Sequence, residues 1–233
     1  GGPRSMTWLS HAWPQIFDLL FAHLRLSWIP IVLSVLIAVP LGYFAQRMPR
    51  IGGAVLGAAS LLYAIPALPL LVIIPALLGF PLRSAATLIT ALTVYGVALM
   101  VRTCADAFAS VDSATTLSAT AIGHSTWQRW WRVELPLAVP VIVAGARVVT
   151  VSTVGLVTIG ALIGVPSLGT LFTDGFQRGI PAEIITGIVG TVLVALVLDG
   201  VCALIGWLLT PWRRAGRQRR GVGESMTFAV TGS

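Results

Sequence analysis

Long apolar runs broken by single arginines and prolines dominate this sequence, and they fix its solvent before any motif is read. Leu26 to Phe44, Ser84 to about Thr103, Leu135 to about Ile163 and Glu183 to Leu209 each approach or exceed the length of a membrane span; a helical crossing needs about 20 mostly apolar residues. A further run, Ile51 to Phe80, would measure about 45 Å as one helix, against a hydrocarbon thickness of roughly 30 Å. Of the 233 residues, 56% are hydrophobic and 10% charged, with a mean hydropathy of +0.91. Soluble domains carry about a quarter charged residues. The chain is therefore expected to be an all-α polytopic membrane protein with about five spans and no sizeable soluble domain.

The over-long run carries its own breaker. Pro66, Pro69 and Pro75 each remove a backbone donor, so the helix should break near Ala64–Pro69. Irregular backbone at membrane depth survives only where protein or a water-filled cavity surrounds it. Tyr63, Pro66 and Pro69 are thus candidate pathway residues; the alternative is a kinked packing helix.

Charge gives orientation. The net charge of +7 comes from fifteen basic residues, all arginine. Five of them, Arg213, Arg214, Arg217, Arg219 and Arg220, follow the last apolar run directly and read as a lipid-facing cytoplasmic anchor, against a nucleic-acid function. With five spans, Arg47, Arg50, Arg102, Arg129, Arg132 and the tail fall on one side, and only Arg25, Arg83 and Arg178 on the other. The positive-inside rule then places the N-terminus outside and the C-terminus in the cytoplasm of a cell-membrane protein. Trp28, Trp207 and Trp212 sit where interfacial anchors belong. The expected organisation is residues 1–23 as a tag remnant (Gly1–Ser5) with an extracytoplasmic segment, 24–209 as the transmembrane domain, and 210–233 as an Arg-rich cytoplasmic tail.

The one long polar stretch, Asp106 to Glu134, becomes a cytoplasmic loop. Asp112 or Ser113 can cap a short helix that Gly123 ends. Ser125 and Gln128 have capping-box spacing and open a second. Nine residues separate Gly123 from Val133-Glu134-Leu135-Pro136. That spacing resembles the cytoplasmic signature of importer permeases of the ABC superfamily, E-A-A-x-x-x-G, nine residues, then I-x-L-P. The E-A-A slots fall on Leu117, Ser118 and Ala119, so only the last alanine is kept and the acidic residue is lost. The resemblance implies a type I importer permease fold and a coupling helix docked on a separate ABC ATPase subunit. The alternative is an amphipathic loop lying on the membrane, which Trp127, Trp130 and Trp131 would suit.

Three further stretches narrow the resemblance to the glycine betaine, carnitine and choline importers. Tyr63-Ala64-Ile65-Pro66-Ala67-Leu68-Pro69-Leu70-Leu71 is similar to their Q-T-I-P-S-L-A-L-L, with tyrosine in place of glutamine. Tyr95 through Val101-Arg102-Thr103 resembles their third span, and Thr158 to Gly164 with Ser167-Leu168-Gly169 their T-L-A-A-L-I-G-A-G-G-L-G. The resemblance implies an extracytoplasmic substrate-binding protein as a partner; the outward Arg83 and the Gly164–Pro181 stretch with Asp174 and Arg178 are either where it docks or a plain solvated loop. It also implies a second permease copy or a paralogue to complete the pathway. No phosphate-cradling G-x-x-x-x-G-K-[ST] is present, and none could be without lysine. The chain is expected to be no enzyme, to have no catalytic residue and to bind no cofactor. The runner-up cargoes are methionine, phosphonate or sulfonate. Other classes are an ion-coupled carrier or channel, and a non-transporting anchor.

Two charges fall well inside spans. Arg147 lies about 18 Å from Leu135 and Asp199 about 15 Å from Leu209 along their helices. They either pair across successive antiparallel spans or meet backbone and water separately. Cys104 and Cys202 read as small buried hydrophobes. His11 and His23 are expected before the first span and His124 in the loop, with no metal-face spacing. Gly155, Gly160 and Gly164 read as helix-packing positions.

Overall fold

The computed structural model describes residues 3–212, with side chains from residue 11 onward. The Arg-rich tail expected at 213–220 lies outside the described residues. Among the described residues nine α-helices follow in order: α1 (Pro3–Arg47), α2 (Pro49–Ala64), α3 (Ala67–Leu78), α4 (Ala85–Ala109), α5 (Ser113–Ala121), α6 (Thr126–Arg129), α7 (Leu135–Val157), α8 (Gly169–Arg178) and α9 (Pro181–Leu209). A π-helical turn, Trp130–Glu134, feeds α7, and a 3₁₀ turn, Thr158–Ile163, ends it. No strand occurs among the described residues.

Four helices are long and apolar enough to cross a membrane, and α2 with α3 makes a fifth candidate bent by 114°. The bend falls where the prolines demand it. Pro66 has no N–H to continue the ladder, so the Leu62 carbonyl accepts from Ile65 N at 3.1 Å and Ile65 turns extended. Gly79 then ends α3 in the left-handed conformation (φ 71°).

α1 is longer than its apolar run of 26–44. The residues before it, among them Trp13, Ile16, Phe17, Leu19, Leu20 and Phe21, are apolar too, and Pro14, Pro30 and Pro40 are all accommodated within one helix. His23 therefore does not precede the first span; it lies inside α1, fully buried. Its Nε2–H donates to the Val154 carbonyl of α7 at 3.1 Å.

α4 is the central helix. α1 packs along it, α2 and α3 cover one flank, α7 the other, and α9 lies outside α7. Helices in lipid associate through close packing and interhelical hydrogen bonds, so small residues mark the crossings. A methyl at Gly96 of α4 would strike Ser34 of α1, one at Gly145 of α7 would strike Thr103 of α4, and one at Gly206 of α9 would strike Val143 of α7. Ser34 Oγ also donates to the Thr93 carbonyl at 3.2 Å, tying α1 to α4. Of the glycines read as packing positions, Gly160 does meet Leu88, but Gly155 faces open space and Gly164 serves as a left-handed turn (φ 81°). Cys104 is buried and Cys202 half-buried, both unbridged.

The other departure from the sequence reading is α8. The expected loop of 164–181 contains a three-turn amphipathic helix that packs on α9 through Leu171, Gly175 and Gly187. Ser167 Oγ accepts from Gly169 N at 3.1 Å and so answers one of its leading donors.

Candidate functional site

The α5–α6 segment closes one end of the bundle, and each of its turns has a local cause. Asp112 accepts from Ala114 N at 3.0 Å and starts α5. Gly123, at φ 92° and with open space where a side chain would stand, reverses the chain. Ser125 and Gln128 form a full capping box: Gln128 N donates to Ser125 Oγ at 3.3 Å, and Ser125 N to Gln128 Oε1 at 3.0 Å.

The residues matched to the signature divide by exposure. Leu117 is 69% exposed and Ser118 also faces out, whereas Ala119 is buried. Val133 and Leu135 are half-buried, and Pro136 is the second residue of α7, directly after the π-helical turn. With Ile122 at 75% and Trp127 at 67%, Leu117 leaves the loop with an outward apolar surface.

Two arginines that entered the sequence analysis only as topology charges, Arg47 and Arg129, fix this loop to the spans through Glu134. Glu134 is buried at 3% exposure, and its Oε1 accepts from two guanidinium groups. Arg47 Nη2, from the last turn of α1, donates at 2.5 Å, and Arg129 Nε, from α6, at 2.7 Å. Arg129 Nη1 also donates to Thr120 Oγ1 of α5 at 2.9 Å. One carboxylate thus joins α1, α5, α6 and the start of α7. The aromatic residues finish the joint. Tyr43 packs edge-on to Phe108 and Trp130 at 5.2 and 5.8 Å, Trp127 stacks on Trp130 at 5.3 Å, and Arg47 lies 5.1 Å from the Tyr43 ring centre. The tryptophans of the loop therefore face inward in part. The available signal was that Glu134 is an acid two residues past Arg132, directly before the Leu135–Pro136 start of an apolar span.

Midway through the bundle, Arg147 and Asp199 meet. The contact is bidentate, Nε to Oδ1 at 2.7 Å and Nη2 to Oδ2 at 2.6 Å. Its side chains are 48% and 21% exposed, so the pair lies on the outer surface of α7 and α9 and not inside this bundle. Cys202 Sγ and Thr150 Oγ1 sit beside it, 3.3 Å apart.

At the bend between α2 and α3, Tyr63 is 47% exposed, and its ring meets that of Tyr95 on α4 at 5.1 Å. Pro66 caps α3 and Pro69 stands exposed in its first turn. At the end opposite the α5–α6 loop, Glu183 is buried in the first turn of α9, with Arg178 Nη1 3.5 Å from its carboxylate. Arg83 packs on Gly164 nearby. No group of three or more metal-ligating side chains occurs among the described residues.

A capped two-helix loop is thus pinned to the first and fourth apolar spans, beside a second span broken at its prolines. The model of the family described as "Binding-protein-dependent transport system inner membrane component" matches residues 38–213. The chain belongs to this family. It is 34% identical over 189 residues to the glycine betaine/carnitine/choline transport system permease protein OpuCB of Bacillus subtilis, covering 81% of this chain and 86% of that one. It is 35% identical over 199 residues to the choline transport system permease protein OpuBB of the same organism (85% and 89%). With the osmoprotectant import permease protein OsmW of Salmonella typhimurium it shares 34% identity over 197 residues (83% and 91%). The fold is similar to that of an inward-facing MetNI methionine ABC transporter, with a TM-score of 0.74 at 20% identity, over 88% of this chain and 98% of the other. Type I importer permease architecture, which the resemblance implied, is the fold of this chain.

Proposed function

We propose that this multi-pass permease subunit forms half of the translocation pathway of an ATP-driven importer for a compatible solute carrying a quaternary ammonium group, such as glycine betaine, choline or carnitine. The observation that carries the reading is the joint at Glu134, built within the Gly123-to-Pro136 spacing and rigidly tied to α1 and α7. Closure of two ATPase subunits against the exposed Leu117, Ile122 and Trp127 would then move these helices as one body. Hydrolysis belongs to the separate ABC ATPase, and this chain performs no covalent step. The solute class is supported by the names of relatives at 34–35% identity; the likeness to the methionine transporter extends to fold alone.

In this reading the α5–α6 end is cytoplasmic, as the arginine asymmetry favours, and the α8 end faces the extracytoplasmic binding protein. Exposed broken backbone at Ala64–Pro66 and an exposed ion pair at Arg147–Asp199 do not suit lipid. A second copy or a paralogue, together with the water-filled pathway between the two, covers them. The test is uptake of radiolabelled glycine betaine in cells lacking other betaine transporters, expressing this chain with its ATPase and binding protein. Suppression by choline or carnitine but not methionine supports the solute class. Suppression by methionine alone assigns the cargo to the runner-up.

A further inference from the structure

We propose that the bend between α2 and α3 holds a transient site for the quaternary ammonium group itself, formed by the rings of Tyr63 and Tyr95 and the carbonyl end of α2; the inference rests on the solute class proposed above and locates where inside the pathway that group pauses. Three features meet there. Tyr63 and Tyr95 lie with ring centres 5.1 Å apart and planes inclined by 37°, leaving a tilted pair of π faces. Such faces attract a cation by their quadrupole, and most strongly where water is excluded. The helix α2 ends at Ala64, one residue beyond Tyr63, and its last carbonyls carry the negative end of the helix dipole. Pro66 brings no N–H to answer them; Leu62 O is taken by Ile65 N, and Tyr63 O receives only a long 3.5 Å contact from Tyr95 Oη. Half-helix C-terminal ends at bilayer mid-depth are a recurring cation-binding device.

Depth and exposure agree with that role. Tyr95 lies ten residues into α4, about 15 Å from its first residue, and Tyr63 fourteen residues into α2, about 21 Å from its start at the other end. Both are therefore near the bilayer centre. Tyr63 and Ala64 are exposed in the single chain. Beside them the surroundings are apolar: Leu70, Leu71, Leu92 and Leu156 pack around the Tyr95 ring and bring no competing charge. A soft site of two rings and a dipole, without a carboxylate, suits a cargo that must leave again.

The experiment uses the Ala64→Cys variant in a background lacking Cys104 and Cys202, in proteoliposomes holding the full permease–ATPase complex. Its reaction with a small uncharged thiol reagent is timed with and without tetramethylammonium, a mimic of the trimethylammonium group shared by the proposed solutes. Tetramethylammonium should slow labelling at least fivefold, and tert-butanol, neutral and of similar bulk, should not. Tyr63→Leu should raise the half-protecting concentration about tenfold, equivalent to about 1.4 kcal/mol, with Tyr95→Leu acting in the same direction. Tyr63→Phe and Tyr95→Phe keep the rings and should keep the protection. Should Tyr95→Leu fail to assemble with the ATPase, the exposed Tyr63 series decides alone. Labelling that tetramethylammonium does not slow, or that tert-butanol slows equally, overturns the site and leaves the importer reading intact where betaine uptake persists. An Ala64→Cys variant that never reacts overturns both the site and the placement of the bend on the water-filled pathway.

Discussion

Replacing Glu134 probes the joint between loop and spans most sharply. Its carboxylate is 5% exposed, Arg129 15% and Arg47 36%. Removing one partner of a buried ion pair typically costs 3–5 kcal/mol, because the other charge is left uncompensated. Arg129 is only partly withdrawn from water and Arg47 sits at the rim, where an ion pair contributes about 0–1 kcal/mol. Glu134→Ala should therefore destabilise the chain by about 3 kcal/mol, and Glu134→Gln, which keeps the shape and an acceptor, by about 1 kcal/mol. A double-mutant cycle of Glu134→Ala with Arg129→Ala should return a coupling of about 1.5–3 kcal/mol, since the two share one contact. Denaturant-induced unfolding of the purified chain in mild detergent measures these values. In the reconstituted complex, Glu134→Gln should hydrolyse ATP at near the normal rate while solute moved per ATP falls several-fold. Additive single mutants, together with an unchanged ratio of uptake to hydrolysis, would refute the idea that Glu134 transmits motion.

Two further perturbations follow from the geometry. Arg147→Asp and Asp199→Arg should each abolish most uptake, since each replaces a bidentate ion pair by two like charges at contact distance; the charge-swapped double mutant should regain part of it, and a double no better than the singles would show that the pair is dispensable. Gly123→Ala should destabilise the α5–α6 reversal by about 1 kcal/mol, because the site is open but its φ is 92°; Gly123→Asn should cost less, as read by protease sensitivity of the loop.

Local chemistry makes much of this fold legible. The break at Ala64–Pro66 follows from proline's missing donor, and the cap residues Asp112, Ser125 and Gln128 act through neighbours two or three positions away, so a string of letters contains them. Depth can be counted too, at 1.5 Å per residue, which is why Arg147 and Asp199 stand out as candidates to pair. What stays hidden depends on contacts between distant segments. His23 reaches Val154 across 131 positions, and Arg47 reaches Glu134 across 87. No periodicity within one helix encodes such a meeting. α8 is hidden for a different reason: Gly169, Gly175 and Gly179 read as loop residues, whereas Gly175 lets the helix press against Glu183 and Ile184. Which surface Arg147 occupies is equally unreadable, because the spans are apolar on more than one side.

Whether transport by this chain needs an ATPase decides the functional reading. Radiolabelled glycine betaine uptake into proteoliposomes, with this permease, its ATPase and its binding protein present, measures that directly. Uptake should require both partners and hydrolysable ATP. Uptake that persists when the ATPase is left out, or when a non-hydrolysable analogue replaces ATP, would contradict an ATP-driven importer.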